Sequence, residues 1–188
     1  MAATIENVEL VYEGWGRFLL VRMRREDGSV LTQQLDDHGD GVAVLPYDPD
    51  RKVVTVVRQV RPSALFTGRG VMVIEAPAGR LDTDDPEACA KREALEESGL
   101  KIAELEHIGT FWISPATSTE RAHLYLGRYS EADRLSDGGG LHDEGEQIIV
   151  EEVPIARILA MADSGELDDV KTFCAVQALR LRYPEICA

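Results

Sequence analysis

The sequence predicts an α/β (α+β) fold: an α/β/α sandwich around a mixed sheet, with a small antiparallel β-sheet arm at its N-terminus. Three observations carry this. β-branched, alternating segments dominate the first half, one sharply capped helix sits mid-chain, and helical patterns close the chain after a second set of strands. At 188 residues the chain can build one domain with a proper core, or a domain with a small extra sheet. The expected division is an arm over residues 1–38 and a main domain over 39–188.

In the arm, "GRFLLVRMRREDGSVLTQQL" holds two strand-like runs around Glu26-Asp27-Gly28-Ser29, and Asp-Gly favours a hairpin turn between them. The runs Val42–Asp48, Lys52–Val60 and Val71–Ala76 read as strands. Asp85-Pro86 then starts a helix, with Asp as N-cap and Pro at the first helical position, and Gly99 ends it. Strands are expected in "ELEHIGTFWIS" and "RAHLYLGRY", before a loop, "SEADRLSDGGGLHDEGE", too polar and glycine-rich to pack. "QIIVEEV" resumes the sheet. Pro154–Ala162 and Asp168–Arg182 read as closing helices, the second with Val170, Phe173, Cys174, Leu179 and Leu181 broadly on one side.

Composition excludes several functions. No apolar run approaches the roughly 18 residues of a membrane span, and "MAATIENVEL" lacks the basic and apolar segments of an export signal, so a soluble cytoplasmic protein is expected. A net charge of −14 argues against binding a nucleic-acid polymer. Cys89, Cys174 and Cys187 lack metal or redox spacing and read as reduced thiols; His38, His107, His123 and His142 read as structural or exposed.

The chemistry concentrates in "EAPAGRLDTDDPEACAKREALEESGL", residues 75–100. Glu93 and Glu97 lie on one helix face, with Glu96 three residues from Glu93. Like charges four apart repel by a few tenths of a kcal/mol unless something offsets them. A hard divalent cation does so, since Mg²⁺ takes one or two carboxylates plus substrate phosphates. Alone, a Glu-rich helix is more often a solvated face.

The context resembles the box of the Nudix hydrolase family. The second half matches at every defined position, Arg92-Glu93-Ala94-Leu95-Glu96-Glu97-Ser98-Gly99-Leu100. In the first half, twelve residues separate Gly79 from Arg92 where the family has thirteen, and Asp84 or Asp85 stands for the family's first glutamate, which mostly supports the loop. Over nearly the whole chain the sequence is similar to one branch, the GDP-mannose hydrolases close to the ADP-ribose pyrophosphatases. Matching pieces are Arg58-Gln59-Val60-Arg61, Asp85-Pro86-Glu87-Ala88-Cys89, Ser114-Pro115 with Thr119-Glu120, Gly138–Gly140, and Gly165-Glu166 with Lys171-Thr172.

The resemblance implies hydrolysis of a nucleoside diphosphate sugar across its pyrophosphate by a homodimer using Mg²⁺, or Mn²⁺. GDP-mannose would give GMP and mannose 1-phosphate; the alternative, ADP-ribose, would give AMP and ribose 5-phosphate. A further alternative is a non-catalytic nucleotide-sugar sensor. The implied metal ligands are the Ala78 carbonyl, Glu93, Glu97, Glu96 and Glu146, with Arg92 orienting the glutamates. Glu146 matches the general base of the family, with Glu144 in reserve; both also read as solvated loop acids. Arg61, Glu120 and Lys171 match substrate-contacting positions. Arg58 and Arg80 are further anion-binding candidates, each equally readable as a surface salt bridge, Gly79 is a substrate-binding candidate, and Trp15 offers a ring for base stacking or for packing. Where the GDP-mannose branch has a charged run in the arm, this chain has Thr32-Gln33-Gln34, which changes substrate contacts from ionic to neutral.

Overall fold

A computed structural model describes residues 2–70, 72–141 and 147–187. By its contacts the chain divides into two compact units, residues 1–40 with 111–122 and residues 41–110 with 123–188.

The first unit is built on a three-stranded antiparallel sheet, β1 (Thr4–Glu13), β2 (Arg17–Arg24) and β3 (Val30–Asp37), in that order. The β2–β3 turn forms at Asp27-Gly28 as expected, closed by Arg25 N–H donating to Ser29 O at 2.8 Å, with Gly28 at φ 84°. Strand β1 was not expected from the sequence. Its register shifts between Ile5 and Asn7 and again between Leu10 and Tyr12, so extra residues at Glu6 and Val11 break the alternation that would betray a strand. The first bulge has a use: Glu6 accepts from Arg24 Nε at 2.7 Å and Arg22 Nε at 3.2 Å on β2.

In the second unit lies the larger, mixed sheet, ordered β10 (Ile149–Pro154), β5 (Val53–Val60), β4 (Gly41–Asp48), β9 (Arg121–Arg128), β8 (Leu105–Trp112); the far ends of β8 and β9 are counted with the first unit. β4 and β5 pair only near their turn, at Tyr47↔Val54 and Asp48↔Val53. Beyond that they splay. The gap is filled by β6 (Met72–Glu75) pairing with β5 and β7 (Ala78–Arg80) pairing with β4. Residues 75–80 therefore cross the opening in the sheet, where Val44 N–H donates to Pro77 O at 2.9 Å.

Alternation along β4 sorts the core into two layers. Val42 and Val44 pack with Cys89, Ala90 and Ala94 of α2 (Pro86–Ser98), while Leu45 and Tyr47 pack with Ile158 of α3 (Ile155–Ser164) and with Val176 and Leu179 of α4 (Val170–Arg182). Each fully buried Leu or Ile stabilises this arrangement by about 1.5–3 kcal/mol. Helix α2 begins and ends where its capping residues predict. Asp85 Oδ1 accepts from Glu87 and Ala88 N–H, both at 3.1 Å, and Gly99 closes it at φ 72°. A short helix, α1 (Pro62–Thr67), was not expected: it carries start and stop signals in Pro62 and Gly68 but buries no side chain, so no apolar period announces it.

Helix α4 exposes Val170, Phe173 and Leu181 and buries Thr172, Ala175, Val176 and Leu179, which corrects the expected apolar face. The cause is polar. The Thr172 hydroxyl donates to Asp169 Oδ2 and accepts from Ala76 N–H, each at 2.6 Å, and this turns a stripe of smaller residues inward. Among the described residues no helix is long and apolar enough to cross a membrane.

A polar network ties β10 to the neighbouring turns. Glu152 accepts from Arg51 Nη1 and Nη2 at 2.8 Å each, Arg134 Nη2 at 2.7 Å and Tyr129 OH at 3.0 Å. The Arg51 hydrogen bonds, more than the burial that opposes them, bring its carboxyl from 4.5 down to about 2. A depressed folded-state pKa adds stability that is full above pH 4.5 and is lost as pH falls towards 2. Glu152→Gln should therefore lower the urea midpoint at pH 7, with the gap to the wild type closing between pH 4.5 and pH 2. A pH-independent gap would mean that the charge contributes nothing.

Candidate functional site

Residues 75–80, "EAPAGR", form the line on which the site hangs, because almost each is fastened to a charged or hydroxyl side chain. Glu75, buried, accepts from Arg61 Nε at 2.8 Å. Ala76 N–H meets the Thr172 hydroxyl beside the Asp169–Lys171 ion pair, which spans 2.7 Å. Ala78 N–H donates to Glu97 Oε2 at 2.9 Å. Gly79 lies so close to Glu93 that a Cβ there would stand 2.2 Å from its carboxylate. Arg80 O accepts from the Cys89 thiol at 3.4 Å.

Glu93 and Glu97 belong to the core-facing stripe of α2, with Cys89, Ala90 and Ala94, and are only 8% and 2% exposed. Small alanines let the helix lie against β4 and β7, and this carries the two carboxylates under the loop. Burying paired anions is costly unless cations and N–H groups compensate. Arg92 provides much of that compensation. Its Nη2 lies 3.0 Å from Glu93 Oε1, and its Nη1 donates to Glu96 Oε2 at 3.0 Å. Burial would lower the Arg92 pKa, but Glu93, Cys89, Glu96 and Asp82 outweigh it and push it upward, so the guanidinium is permanently charged.

The set suits a hard divalent cation: two buried carboxylates converge on a loop whose glycine leaves no room for a side chain. Among the described residues no three acidic, His or Cys side chains close a cage by themselves. Mg²⁺ needs none, since it binds through one or two carboxylates together with waters and substrate phosphates.

The remaining sequence candidates fall into separate groups. Arg58 on β5 pairs with Glu151 of β10. Lys171 is held by Asp169, whose carboxyl burial would raise but which the Lys171 charge and its hydrogen bonds, with those from Thr172, hold below the usual range. In the first unit, Trp15 is 71% exposed and its ring lies 4.9 Å from that of His38. His38 Nε2 is 3.8 Å from Glu120 Oε2, while Gln33 and Gln34 are exposed on β3, opposite Val21 and Leu20. Glu144 and Glu146 lie outside the described residues.

Sequence reading missed Glu75 and Asp169. Asp169 was within reach, since it is an acid just ahead of a helix and accepts from Thr172 N–H at 2.9 Å as an N-cap. Glu75 carries no local signal; its partner Arg61 is brought by the topology. Asp85 is engaged as N-cap, as expected, and the acid of this turn that meets Arg92 is Asp82, with Oδ1 3.1 Å from Nη2.

Comparison with known proteins adds kinship to this geometry. The model of the NUDIX domain matches residues 37–185. The chain is 38% identical over 163 residues to a GDP-mannose pyrophosphatase of Cronobacter sakazakii, covering 85% of this chain and 84% of that one. It is 35% identical over 177 residues to a GDP-mannose pyrophosphatase of Klebsiella pneumoniae subsp. pneumoniae, covering 92% and 88%. A crystal structure of an ADP compounds hydrolase superposes with a TM-score of 0.77 at 16% identity, covering 98% and 96%, which shows the shared fold.

Proposed function

We propose that this chain, which belongs to the NUDIX family, hydrolyses the central pyrophosphate bond of a nucleoside diphosphate sugar with the help of a divalent cation. It is a pyrophosphatase-type hydrolase by kinship. The observation that carries the finer reading is the convergence of buried Glu93 and Glu97 on Ala78 and Gly79. Mg²⁺ is the proposed ion, with Mn²⁺ as substitute, held by Glu93, Glu97, Glu96, the Ala78 carbonyl and Glu146. When bound it supplies charge neutralisation at phosphate oxygens and a water of lowered pKa.

The side chains divide the remaining work. Arg92 orients Glu93 and Glu96, and Ala78 N–H orients Glu97. Arg61, Arg58, Arg80 and Lys171 supply positive charge for the two phosphates, in a protein otherwise strongly anionic. Trp15 stacks on the base, and Glu120, Gln33 and Gln34 contact base or sugar. Glu146, with Glu144 in reserve, accepts the proton of the attacking water, a role that rests on the family resemblance alone.

The substrate proposed first is GDP-mannose, in keeping with the printed names of the relatives; the neutral Gln33-Gln34 pair favours ADP-ribose as the second reading. Residues 39–188 carry the chemistry and the arm, 1–38, serves dimerisation. The exposed Ile5, Val8, Leu10 and Tyr12 of β1 support a second copy as partner. Three free thiols suit a reducing cytoplasm.

Chromatography of products formed from GDP-mannose and from ADP-ribose, with Mg²⁺ and with a chelator, tests the reading. Chelator-sensitive release of a nucleoside monophosphate and a sugar phosphate is expected, faster from GDP-mannose. Tight binding without turnover would instead identify a nucleotide-sugar sensor.

A further inference from the structure

We infer that Asp82 is a positioning residue for the cation-holding face of α2, acting through Arg92. This deepens the function proposed above and rests on it. The turn before α2 holds three aspartates, of which Asp85 is engaged in capping the helix. Asp82 shares the Arg92 guanidinium with the helix acids: Nη2 lies between Asp82 Oδ1 at 3.1 Å and Glu93 Oε1 at 3.0 Å, while Nη1 goes to Glu96 at 3.0 Å. One cation thus bridges three carboxylates, two from the helix and one from the turn.

The region beneath is filled by Cys89, whose Sγ accepts from Arg92 Nη2 at 3.5 Å and donates to Arg80 O at 3.4 Å. Burial raises its pKa. Arg92 therefore faces a fixed balance. Asp82 draws part of its charge outward, and Glu93 keeps the remainder of its own negative charge for a metal ion.

Neutralising Asp82 removes that counter-pull. Arg92 then pairs more fully with Glu93 and competes with the cation for it. Asp82→Asn is expected to weaken Mn²⁺ binding to the substrate-free protein, read by electron paramagnetic resonance of free Mn²⁺, by about tenfold or more, the usual scale for groups that orient metal ligands. The Mg²⁺ concentration giving half-maximal turnover should rise in step. Asp82→Glu should restore both, and Asp84→Asn should leave both unchanged.

Because the Mn²⁺ titration needs no substrate, a wild-type protein that binds Mn²⁺ but turns over no nucleotide sugar would sink the proposed function while leaving this inference standing or falling on Asp82→Asn. An affinity within about twofold of the wild type in Asp82→Asn, far below the scale for second-layer groups, overturns it. So does an equal loss in Asp84→Asn, failure of Asp82→Glu to rescue, or absence of Mn²⁺ binding by the wild type.

Discussion

Glu97→Gln is expected to abolish metal-dependent turnover while leaving the fold intact. The side chain is 2% exposed and one of its oxygens is already engaged by Ala78 N–H at 2.9 Å. Gln keeps the volume and, through its amide oxygen, that hydrogen bond, so neither a cavity nor an orphaned N–H is created. It loses the negative charge, which is what a hard cation requires. Turnover should fall by more than the roughly 10–100-fold seen when a group merely supports a ligand. Mg²⁺ titration of turnover, beside thermal unfolding of the same variant, separates the two effects. Turnover close to that of the wild type would remove the helix from the mechanism, and a collapse of the melting temperature would show Glu97 to be a core residue first.

The difference between legible and illegible features follows from the range of the interactions behind them. Asp85, Pro86 and Gly99 announce α2 because capping is settled within a few residues, and the spacing of Glu93 and Glu97 follows from helical geometry alone. The splaying of β4 from β5, which lays residues 75–80 across the sheet, depends on pairings between segments distant in sequence. Hence Arg61 could be singled out while its partner Glu75 could not, and Arg92 could be expected to orient the helix glutamates while its contact with Asp82 could not. The face of α4 failed for another reason. Apolar periodicity measures what burial would gain, whereas here the Thr172 hydroxyl, fixed by Ala76 and Asp169, determined which side turned inward. Strand β1 failed because its two bulges erase the period by which strands are recognised.

Gly99→Ala should be strongly destabilising, for reasons that a helix cap alone does not supply. Gly99 at φ 72° closes α2, and a Cβ there would meet Ser136 O at 2.0 Å and Ser136 C at 2.7 Å. The segment that blocks it is itself bonded to the helix end: Leu135 N–H donates to Gly99 O, Arg134 Nη1 to Ser98 O, Gly139 N–H to Glu97 O and Gly140 N–H to Glu96 O. These carbonyls are ones that a helix leaves unsatisfied at its C-terminus, and two of them belong to residues proposed to hold the cation. Gly165→Ala provides the comparison, since Gly165 closes α3 at φ 78° but has nothing within 4 Å of its would-be Cβ. That variant should lose only the cost of a left-handed alanine, about 1–2 kcal/mol. Gly99→Ala adds a backbone clash, worth about 1–3 kcal/mol more by the usual cost of overpacking. At about 2–4 °C per kcal/mol for a chain of this size, the two should melt several degrees apart. Equal melting temperatures would mean that the 134–140 segment yields freely, and a segment that yields cannot hold the last turn of α2 in place. If instead Gly99→Ala melts earlier and also binds Mn²⁺ more weakly than Gly165→Ala, the loss must run through the carbonyls of Glu96 and Glu97, because neither glycine carries a ligand of its own.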